Sequence, residues 1–185
     1  MMKEELLEPL FRLIRIKMIQ KYIPQNCVLC DIGCGFNATF LRDISKHIKC
    51  GYGFDKKIKN SKFKNIIIKN LEISDNIPLD NESVDCVTLL AVVEHLTDPQ
   101  KIMKESYRIL KKEGILLLTT PSPKSKPLLE FLSFRLHIVS PVEIRDHKHY
   151  FSNDELQELM ENIGFHHVFV SNFEFGLNSR AIGYK

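Results

Sequence analysis

Short apolar segments recur along this chain between segments of helical periodicity, and this pattern restricts the possible folds more than any other feature. Five apolar runs have the length of a strand, at Cys27–Ile32, Gly51–Asp55, Asn65–Lys69, Val84–Leu90 and Ile115–Thr120. Uninterrupted apolar runs are typical of strands that are buried on both faces, so the sheet should be largely parallel. Because crossovers between parallel strands are right-handed, we predict a doubly wound α/β fold with helices on both faces.

The remaining segments complete a single domain over residues 1–185. Further elements are predicted as helices within residues 1–24, 37–47, 99–111 and 152–163, and as two last strands at His167–Ser171 and Leu177–Tyr184. The helix within residues 1–24 is amphipathic, with apolar positions that begin at Leu6. Ser152 and Glu155 have the spacing of a capping box. The lysine-rich link at residues 56–64 has room only for a small helix, so we expect seven strands.

Composition and charge narrow the classes of function. The formal net charge of the 185 residues is only +3, which gives no reason to expect a nucleic-acid partner. Charged residues interrupt the N-terminal apolar pattern, which excludes a signal peptide, and no apolar run reaches membrane-spanning length. We therefore expect a cytoplasmic protein with five reduced cysteines. Cys27 and Cys30 should lie on opposite faces of one strand, so buried thiols are favoured over a metal site with Cys34.

One edge of the predicted sheet collects small and polar residues where strands end, which is where doubly wound folds bind ligands. The residues at this edge are Asp31, Gly33, Cys34, Gly35, Asp55, Asn70, Leu71, Leu90 and Ala91. The two glycines suit a tight turn that lets a ligand touch the backbone. Asp55 follows Gly35 by twenty positions, a spacing that suits a carboxylate accepting both hydroxyls of a ribose.

Two kinds of cofactor compete for this pattern. Gly33, Gly35 and Ala38 also satisfy the G-x-G-x-x-A pattern of nicotinamide-binding domains. Asp31 argues against a nicotinamide dinucleotide, because a carboxylate this close to the first glycine would repel the negative charge of a pyrophosphate. Beside an ammonium or a sulfonium cation the same carboxylate is favourable. S-adenosylmethionine carries both of these cations together with a ribose and an adenine.

The order of the motifs resembles the class I S-adenosylmethionine-dependent methyltransferases, of the type 11 kind that acts on small molecules. The similar segments, from Val28 to Lys185, are Asp31–Gly35 (DIGCG), Asp55, Asn70–Asp85, Glu94–Pro99 (EHLTDP), Arg108–Gly114, Thr120–Ser122 and Phe151–Phe165. The resemblance implies an enzyme that uses S-adenosylmethionine as its cofactor. It also implies that the last strand of the predicted sheet is antiparallel.

The resemblance assigns roles to the residues around the first motif. Gly33 and Gly35, with Cys34 between them, would line the methionine half of the cofactor. Asp31 would orient the ammonium group of the cofactor, either directly or through water. Asp55 would hold the ribose hydroxyls.

Further roles fall on the ends of the third and fourth predicted strands. Leu71 would offer its backbone N–H to the adenine, and Asn70 would reach the exocyclic amine. The family usually has Asp at position 70, and Asn keeps an acceptor oxygen but loses the charge. A backbone carbonyl near Leu90 or Ala91 would complete the cage around the ammonium group.

Catalysis should need alignment and exclusion of water, with a base added for oxygen or nitrogen acceptors. The candidate bases are His95, His147 and His149, and Glu94 is a further one. Each of these residues could instead cap a helix, pack or lie in a solvated loop. Some quinone and small-RNA methyltransferases bind a metal through E-x-x-E-H at this place. Here the first position is Ala91, so we predict no metal.

The segment 121–151 follows the fifth strand, where this family builds its substrate wall. Its stretch Leu128–Val139 is unusually apolar and could line an acceptor pocket, a homodimer contact or a membrane-surface face, or pack over the core. We predict methyl transfer to a small-molecule acceptor such as a quinone or a glycan sugar, with O-methylation favoured. The alternatives are a nicotinamide-dependent oxidoreductase and a catalytically silent, methyltransferase-like partner subunit.

Overall fold

The structure is a computed structural model, and it describes residues 8–73, 76–135 and 140–185. The predicted N-terminal helix is described from Glu8 onward, so Leu6 lies outside the described residues. Residues 136–139, within the predicted apolar stretch Leu128–Val139, also lie outside them.

Eight strands form one sheet. In chain order they are β1 (Val28–Ile32), β2 (Cys50–Asp55), β3 (Ser61–Phe63), β4 (Ile66–Asn70), β5 (Val84–Leu90), β6 (Leu110–Pro121), β7 (His166–Phe173) and β8 (Asn178–Tyr184). Across the sheet the order is β3-β4-β2-β1-β5-β6-β8-β7. Neighbours from β4 to β6 are parallel, whereas β8 is antiparallel to both β6 and β7. The prediction of a mostly parallel sheet with an antiparallel last strand is confirmed.

The predicted number of strands, seven, is wrong, because the lysine-rich link forms a strand rather than a small helix. In this link β3 pairs antiparallel with β4 at the edge of the sheet, with Phe63 opposite Ile66. The guanidinium of Arg42 and the ammonium of Lys64 each lie 5.0 Å from the centre of the Phe63 ring. Strand β3 is therefore stabilised by its pairing with β4 and by contacts of the Phe63 ring. It contains no apolar run, so the sequence pattern could not predict it.

Helices cover both faces of the sheet, as predicted. They are α1 (Glu8–Gln20), α2 (Thr39–Ile44), α3 (Pro99–Ile109), α4 (Lys126–Phe134), α5 (Pro141–Arg145) and α6 (Asn153–Ile163). Buried side chains of α1 and α2 belong to one apolar cluster, and those of α3 and α6 belong to a second cluster. Cys27 lies in the first cluster and Cys30 in the second, which agrees with their predicted opposite orientation. All five cysteines are free, and Cys50 is the one that is only half-buried.

Local sequence explains where the last helix begins and ends. The Ser152 hydroxyl accepts a hydrogen bond from the Glu155 backbone N–H, and the Glu155 carboxylate accepts one from the Ser152 backbone N–H. This is the predicted capping box. Gly164 follows the helix with a φ of 115°, which a residue without a Cβ adopts at little cost.

The topology brings the carboxyl ends of β1, β2, β4, β5 and β6 to one edge of the sheet. The segment after β6 begins at this edge and contains α4 and α5. Within the described part of the chain, no helix is both long enough and apolar enough to cross a membrane.

Candidate functional site

A cavity opens at the carboxyl end of β1, where the chain turns through Gly33 and Gly35. It is lined by Asp31, by the turn, by Leu90 and by Arg15 of α1. Both glycines have positive φ values, 79° and 72°. A Cβ on Gly33 would meet Val92 Cγ2 at 2.4 Å, whereas a Cβ on Gly35 would meet nothing within 4 Å. Gly33 is thus required by packing, and Gly35 leaves open space on the cavity side.

The carboxylate of Asp31 is buried at the base of this cavity. Only 2% of the residue is exposed, and Thr88 Oγ1 donates a 2.6 Å hydrogen bond to its Oδ1. Burial raises the pKa of Asp31 to about 7, although the Thr88 hydrogen bond opposes this shift. Asp31 and Thr88 are direct partners in the β1–β5 register, so the strand pairing itself creates the contact.

Asp55, at the end of β2, ties together the two loops beside the cavity. Its Oδ2 accepts a hydrogen bond from the Gly35 backbone N–H at 2.9 Å, and its Oδ1 accepts one from the Lys57 backbone N–H at 2.7 Å. A carboxylate has about four acceptor positions, so these two bonds leave capacity for the hydroxyls of a ribose. The structure therefore gives Asp55 a role in holding the glycine turn as well as a position beside it.

Asn70 and Leu71, at the end of β4, are occupied by contacts within the protein. The Asn70 side-chain amide donates to the carbonyls of Lys56 and Ile58 at 2.9 and 2.8 Å. The Leu71 backbone N–H, predicted to donate to adenine, donates to the Asp55 carbonyl at 3.1 Å. Contact of these residues with adenine stays a prediction, and it would require Leu71 to exchange this hydrogen bond.

The cavity suits a cofactor that brings positive charge and a ribose. The raised pKa of Asp31 indicates that its buried charge lacks full compensation, and a nearby ammonium or sulfonium group would provide it. The open side of Gly35 lets such a ligand approach the backbone, and the adjacent Asp55 carboxylate can accept hydroxyl groups. The donor set therefore fits S-adenosylmethionine.

Arg15 is a site residue that sequence analysis missed. It lines the cavity from α1, and its positive charge helps to lower the pKa values of Glu94 and Glu174 against the effect of their burial. In the sequence Arg15 is one of several charged residues in an amphipathic helix and looks like part of the solvated face. Its neighbour Ile16 is buried, so the position of Arg15 beside the cavity follows from how α1 packs.

Glu94 lies in a 3₁₀ turn that follows β5. The residue is 1% exposed, and Thr120 Oγ1 donates to its Oε2 at 3.0 Å. Burial raises the pKa of Glu94. The Glu94 backbone carbonyl accepts hydrogen bonds from the N–H groups of Lys148 and His149, at 2.7 and 3.2 Å. These two bonds anchor the histidine-rich segment beside the end of β5.

The fold brings two of the three candidate histidines together. The rings of His95 and His147 meet edge to face, with centres 4.7 Å apart. His147 Nδ1 lies 3.0 Å from the Tyr150 hydroxyl, and burial lowers the pKa of His147 to about 4. His149 instead stacks on Phe151, at 5.4 Å between ring centres.

His95 has a carboxylate on its other side. Its Nδ1 lies 3.3 Å from Asp146 Oδ2, a distance that allows electrostatic attraction. The two groups are not aligned as a hydrogen bond, and this buried nitrogen has no hydrogen-bond partner.

The prediction of no metal rested on Ala91, and the structure adds a residue that the motif did not include. One ligand atom each from Glu94, His95 and His147 lies within 4.8 Å of the others. Ala91 itself closes β5 in a left-handed conformation, with a φ of 56°. Because these three side chains lie close together, the absence of a metal stays a prediction that experiment must test.

Comparison with known proteins decides the family. The sequence profile of a methyltransferase domain matches residues 3–168. The chain belongs to the methyltransferase domain family. This methyltransferase domain is of the class I, S-adenosylmethionine-dependent kind, so the predicted family and cofactor are confirmed and the nicotinamide alternative is set aside.

Curated relatives and solved structures agree with this membership. A probable S-adenosylmethionine-dependent methyltransferase of Mycolicibacterium smegmatis is 25% identical, over 82% of this chain and 58% of its own length. The ubiquinone/menaquinone biosynthesis C-methyltransferase UbiE of Klebsiella pneumoniae is 28% identical, over 70% of this chain and 59% of its own. The chain thus spans less than three fifths of the length of these relatives.

Solved structures match the fold over nearly the whole chain. An S-adenosylmethionine-dependent methyltransferase from Thermotoga maritima has a TM-score of 0.73 at 20% identity, covering 97% of this chain and 91% of that one. A methyltransferase in complex with the Trm112 activator of Haloferax volcanii has a TM-score of 0.71 at 17% identity, covering 96% and 92%. These likenesses establish the fold of the methyltransferase domain.

Proposed function

We propose that this chain transfers the methyl group of S-adenosylmethionine to a small-molecule acceptor. The observation that carries the proposal is the placement of two different groups at one edge of the sheet. The cavity of Asp31, Gly33 and Gly35 suits the cofactor, and the Glu94, His95 and His147 group stands beyond the end of the neighbouring strand β5. An acceptor between them would meet both the reactive methyl group and a polar side chain.

The protein's own contribution would be binding, orientation and removal of a proton. Bound S-adenosylmethionine supplies an electrophilic methyl group whose sulfur leaving group needs no protonation. Asp31 would orient the ammonium group of the cofactor, and Asp55 would hold both the ribose and the glycine turn. A proton released from an oxygen acceptor would pass to His95, beside Asp146, or to His147.

Methylation of oxygen is the first candidate for the acceptor atom, because the group near β5 contains possible bases. His147 is uncharged at neutral pH, since burial holds its pKa at about 4, and it can accept a hydrogen bond from an acceptor hydroxyl. Methylation of carbon on a quinone is the second candidate. It is favoured by the relatives named UbiE, which are C-methyltransferases of ubiquinone and menaquinone biosynthesis.

A search for the acceptor tests the proposal. The purified chain is incubated with a metabolite extract and S-adenosylmethionine labelled in its methyl group, and labelled products are identified by mass spectrometry. A labelled product should form with the wild type and disappear with the Asp31→Asn variant. Cofactor binding without any labelled product from hydroxylated, quinone or amine pools would favour a catalytically silent partner subunit.

The proposal also includes the compartment in which the protein acts and its assembly. The five free thiols suit a reducing compartment, so we place the reaction in the cytoplasm. A homodimer and a partner protein are both open to test by measuring the mass of the purified chain in solution. The prediction of no nucleic-acid partner rests on the low net charge of +3.

A further inference from the structure

An apolar face lies on α4 and α5, in the segment that follows β6. On α4, Leu128 and Phe131 are one helical turn apart, and they are 40% and 53% exposed. On α5, which packs against α4, Val142 is 77% exposed. We call these three side chains the α4–α5 face. Among the described residues, three of the seven large apolar side chains that are exposed therefore lie on these two adjoining helices.

Exposed basic side chains lie at the ends of the two helices that carry the α4–α5 face. Lys124 and Lys126 are exposed at the start of α4, Arg135 is exposed at its end, and Arg145 is exposed at the end of α5. The whole segment 121–151 contains five Lys or Arg and three Asp or Glu, an excess of positive charge. Exposed Leu and Phe with flanking Lys and Arg form the pattern by which helices lie on the surface of anionic bilayers.

Helix α4, which carries two of these side chains, is connected to the candidate catalytic group by a short series of contacts. The ammonium of Lys126 lies 5.8 Å from the centre of the Tyr150 ring. The Tyr150 hydroxyl lies 3.0 Å from His147 Nδ1, and the His147 ring meets the His95 ring. A surface that held the α4–α5 face would therefore lie near the group of His95 and His147.

We propose that the α4–α5 face binds the surface of an anionic lipid bilayer. The apolar side chains enter the boundary between head groups and acyl chains, while the basic side chains contact lipid phosphates. Each Lys or Arg near such a surface favours binding by about fivefold. Where the proposed methyl transfer holds, this orientation selects acceptors with a reactive ring or head group and an apolar tail. The membrane binding itself does not depend on catalysis.

Vesicle flotation of the full chain tests this binding. The vesicles contain phosphatidylcholine alone or phosphatidylcholine mixed with anionic phosphatidylglycerol, at equal total lipid. The wild type should float with the anionic vesicles at least about tenfold more strongly than with the neutral ones. The double variant Leu128→Ser with Phe131→Ser should lose at least about tenfold of this binding.

A matched control tests whether vesicle binding depends on the α4–α5 face or on any exposed apolar side chain. Phe169 on β7 is 52% exposed, almost the same as Phe131, and lies on the edge strand of the sheet. The Phe169→Ser variant should float like the wild type. All variants should bind S-adenosylhomocysteine with unchanged affinity, because the altered side chains are exposed and do not line the cofactor cavity.

Three results would overturn the proposal. The first is failure of the wild type to float with either kind of vesicle. The second is equal flotation of the wild type and the Leu128→Ser, Phe131→Ser variant. The third is a wild-type dimer that becomes a monomer in this variant without any vesicle binding, since the α4–α5 face would then be a contact between two copies. Cofactor binding, measured in parallel, reports separately on the proposed function.

Discussion

At the scale of single residues, the ionisation of Asp31 should control how tightly the cofactor binds. Its pKa is raised to about 7 in the cofactor-free protein, and a bound ammonium group would favour the ionised form. Affinity for S-adenosylhomocysteine should therefore increase as the pH rises towards about 7 and then level off. Calorimetry at several pH values measures this, and the Asp31→Asn variant should bind weakly without the pH dependence. Identical pH profiles for the two proteins would remove Asp31 from the cofactor site.

The raised pKa of Asp31 has the opposite effect on the stability of the cofactor-free protein, which should decrease as the pH rises. Asp31 binds its proton more tightly in the folded state than in the unfolded state, where its pKa is near 3.8. The contribution of Asp31 to folding is therefore fully present below pH 3.8 and is lost as the pH rises through about 7. Bound cofactor should remove this loss, because it compensates the buried charge.

Asp55 should contribute more to cofactor affinity than an acidic residue outside the site. Replacing Asp55 by Ala removes acceptors for the ribose and also the bond to the Gly35 N–H that holds the turn. We expect a loss of about 1.5–3 kcal/mol of binding free energy, as for other hydrogen bonds to charged groups. Asp80, in the turn before β5, provides the control, and Asp80→Ala should bind S-adenosylhomocysteine like the wild type. Equal dissociation constants for all three proteins would mean that the ribose is held elsewhere.

The three candidate histidines should differ in their effect on turnover. Once a substrate is known, His95→Gln or His147→Gln should reduce turnover by roughly 10²- to 10⁴-fold, with unchanged cofactor affinity, if either accepts the proton. His149→Gln is the matched control, because this ring stacks on Phe151 outside the group. Turnover should also survive treatment with a chelator, as expected without a metal. Wild-type rates in all three variants would exclude a histidine base, and loss of activity on chelation would identify metal ligands.

At the scale of elements, the turn between β1 and α2 contains two glycines that differ in the space around them. Gly33→Ala should lower the free energy of unfolding by about 2–4 kcal/mol, because strain at positive φ adds to a clash with Val92. Gly35→Ala meets no neighbour, so it should cost only about 1–2 kcal/mol of strain. Gly35 lines the cavity, so the added methyl group should weaken cofactor binding. Thermal unfolding and calorimetry separate these effects, and equal losses of stability would contradict them.

The elements that sequence analysis could identify are those with a continuous apolar signal. The predicted bounds of β5, Val84–Leu90, coincide with the observed ones because every strand residue from Cys86 to Leu89 is buried. In contrast, β3 could not be predicted, since pairing with β4 rather than apolar burial creates it. Helix α2 covers Thr39–Ile44 and begins later than predicted, because Ala38 before it takes a left-handed conformation.

The same limit applies to the candidate site. The glycine turn, Asp31 and Asp55 could be found because their spacing follows from a strand, a turn and a second strand. The contact of Thr88 with Asp31 depends on the register between β1 and β5, and the position of Arg15 depends on how α1 packs. Likewise, His95 and His147 are far apart in the sequence, so only the fold could distinguish them from His149.

At the scale of the whole molecule, cofactor binding should stabilise the fold. A ligand at one hundred times its dissociation constant adds about 2.7 kcal/mol to the free energy of unfolding. For a domain of this size, this should raise the midpoint of thermal unfolding by about 5–10 °C. A thermal-shift scan with S-adenosylhomocysteine should therefore show a clear increase, and nicotinamide dinucleotides should have no effect. Stabilisation by NAD alone would contradict the assignment of the cavity.

The order of strands has a consequence for how the chain folds as it is synthesised. Strand β8 follows β7 in the chain but lies between β6 and β7 in the sheet, and its whole length pairs with β6, from Asn178 opposite Pro121 to Tyr184 opposite Ile115. A nascent chain that has released β7 but not β8 therefore exposes the open edge of β6 next to an unpaired β7. Such edges attract other strands and chaperones. Emergence of β8 from the ribosome is thus the event that joins the two parts of the sheet.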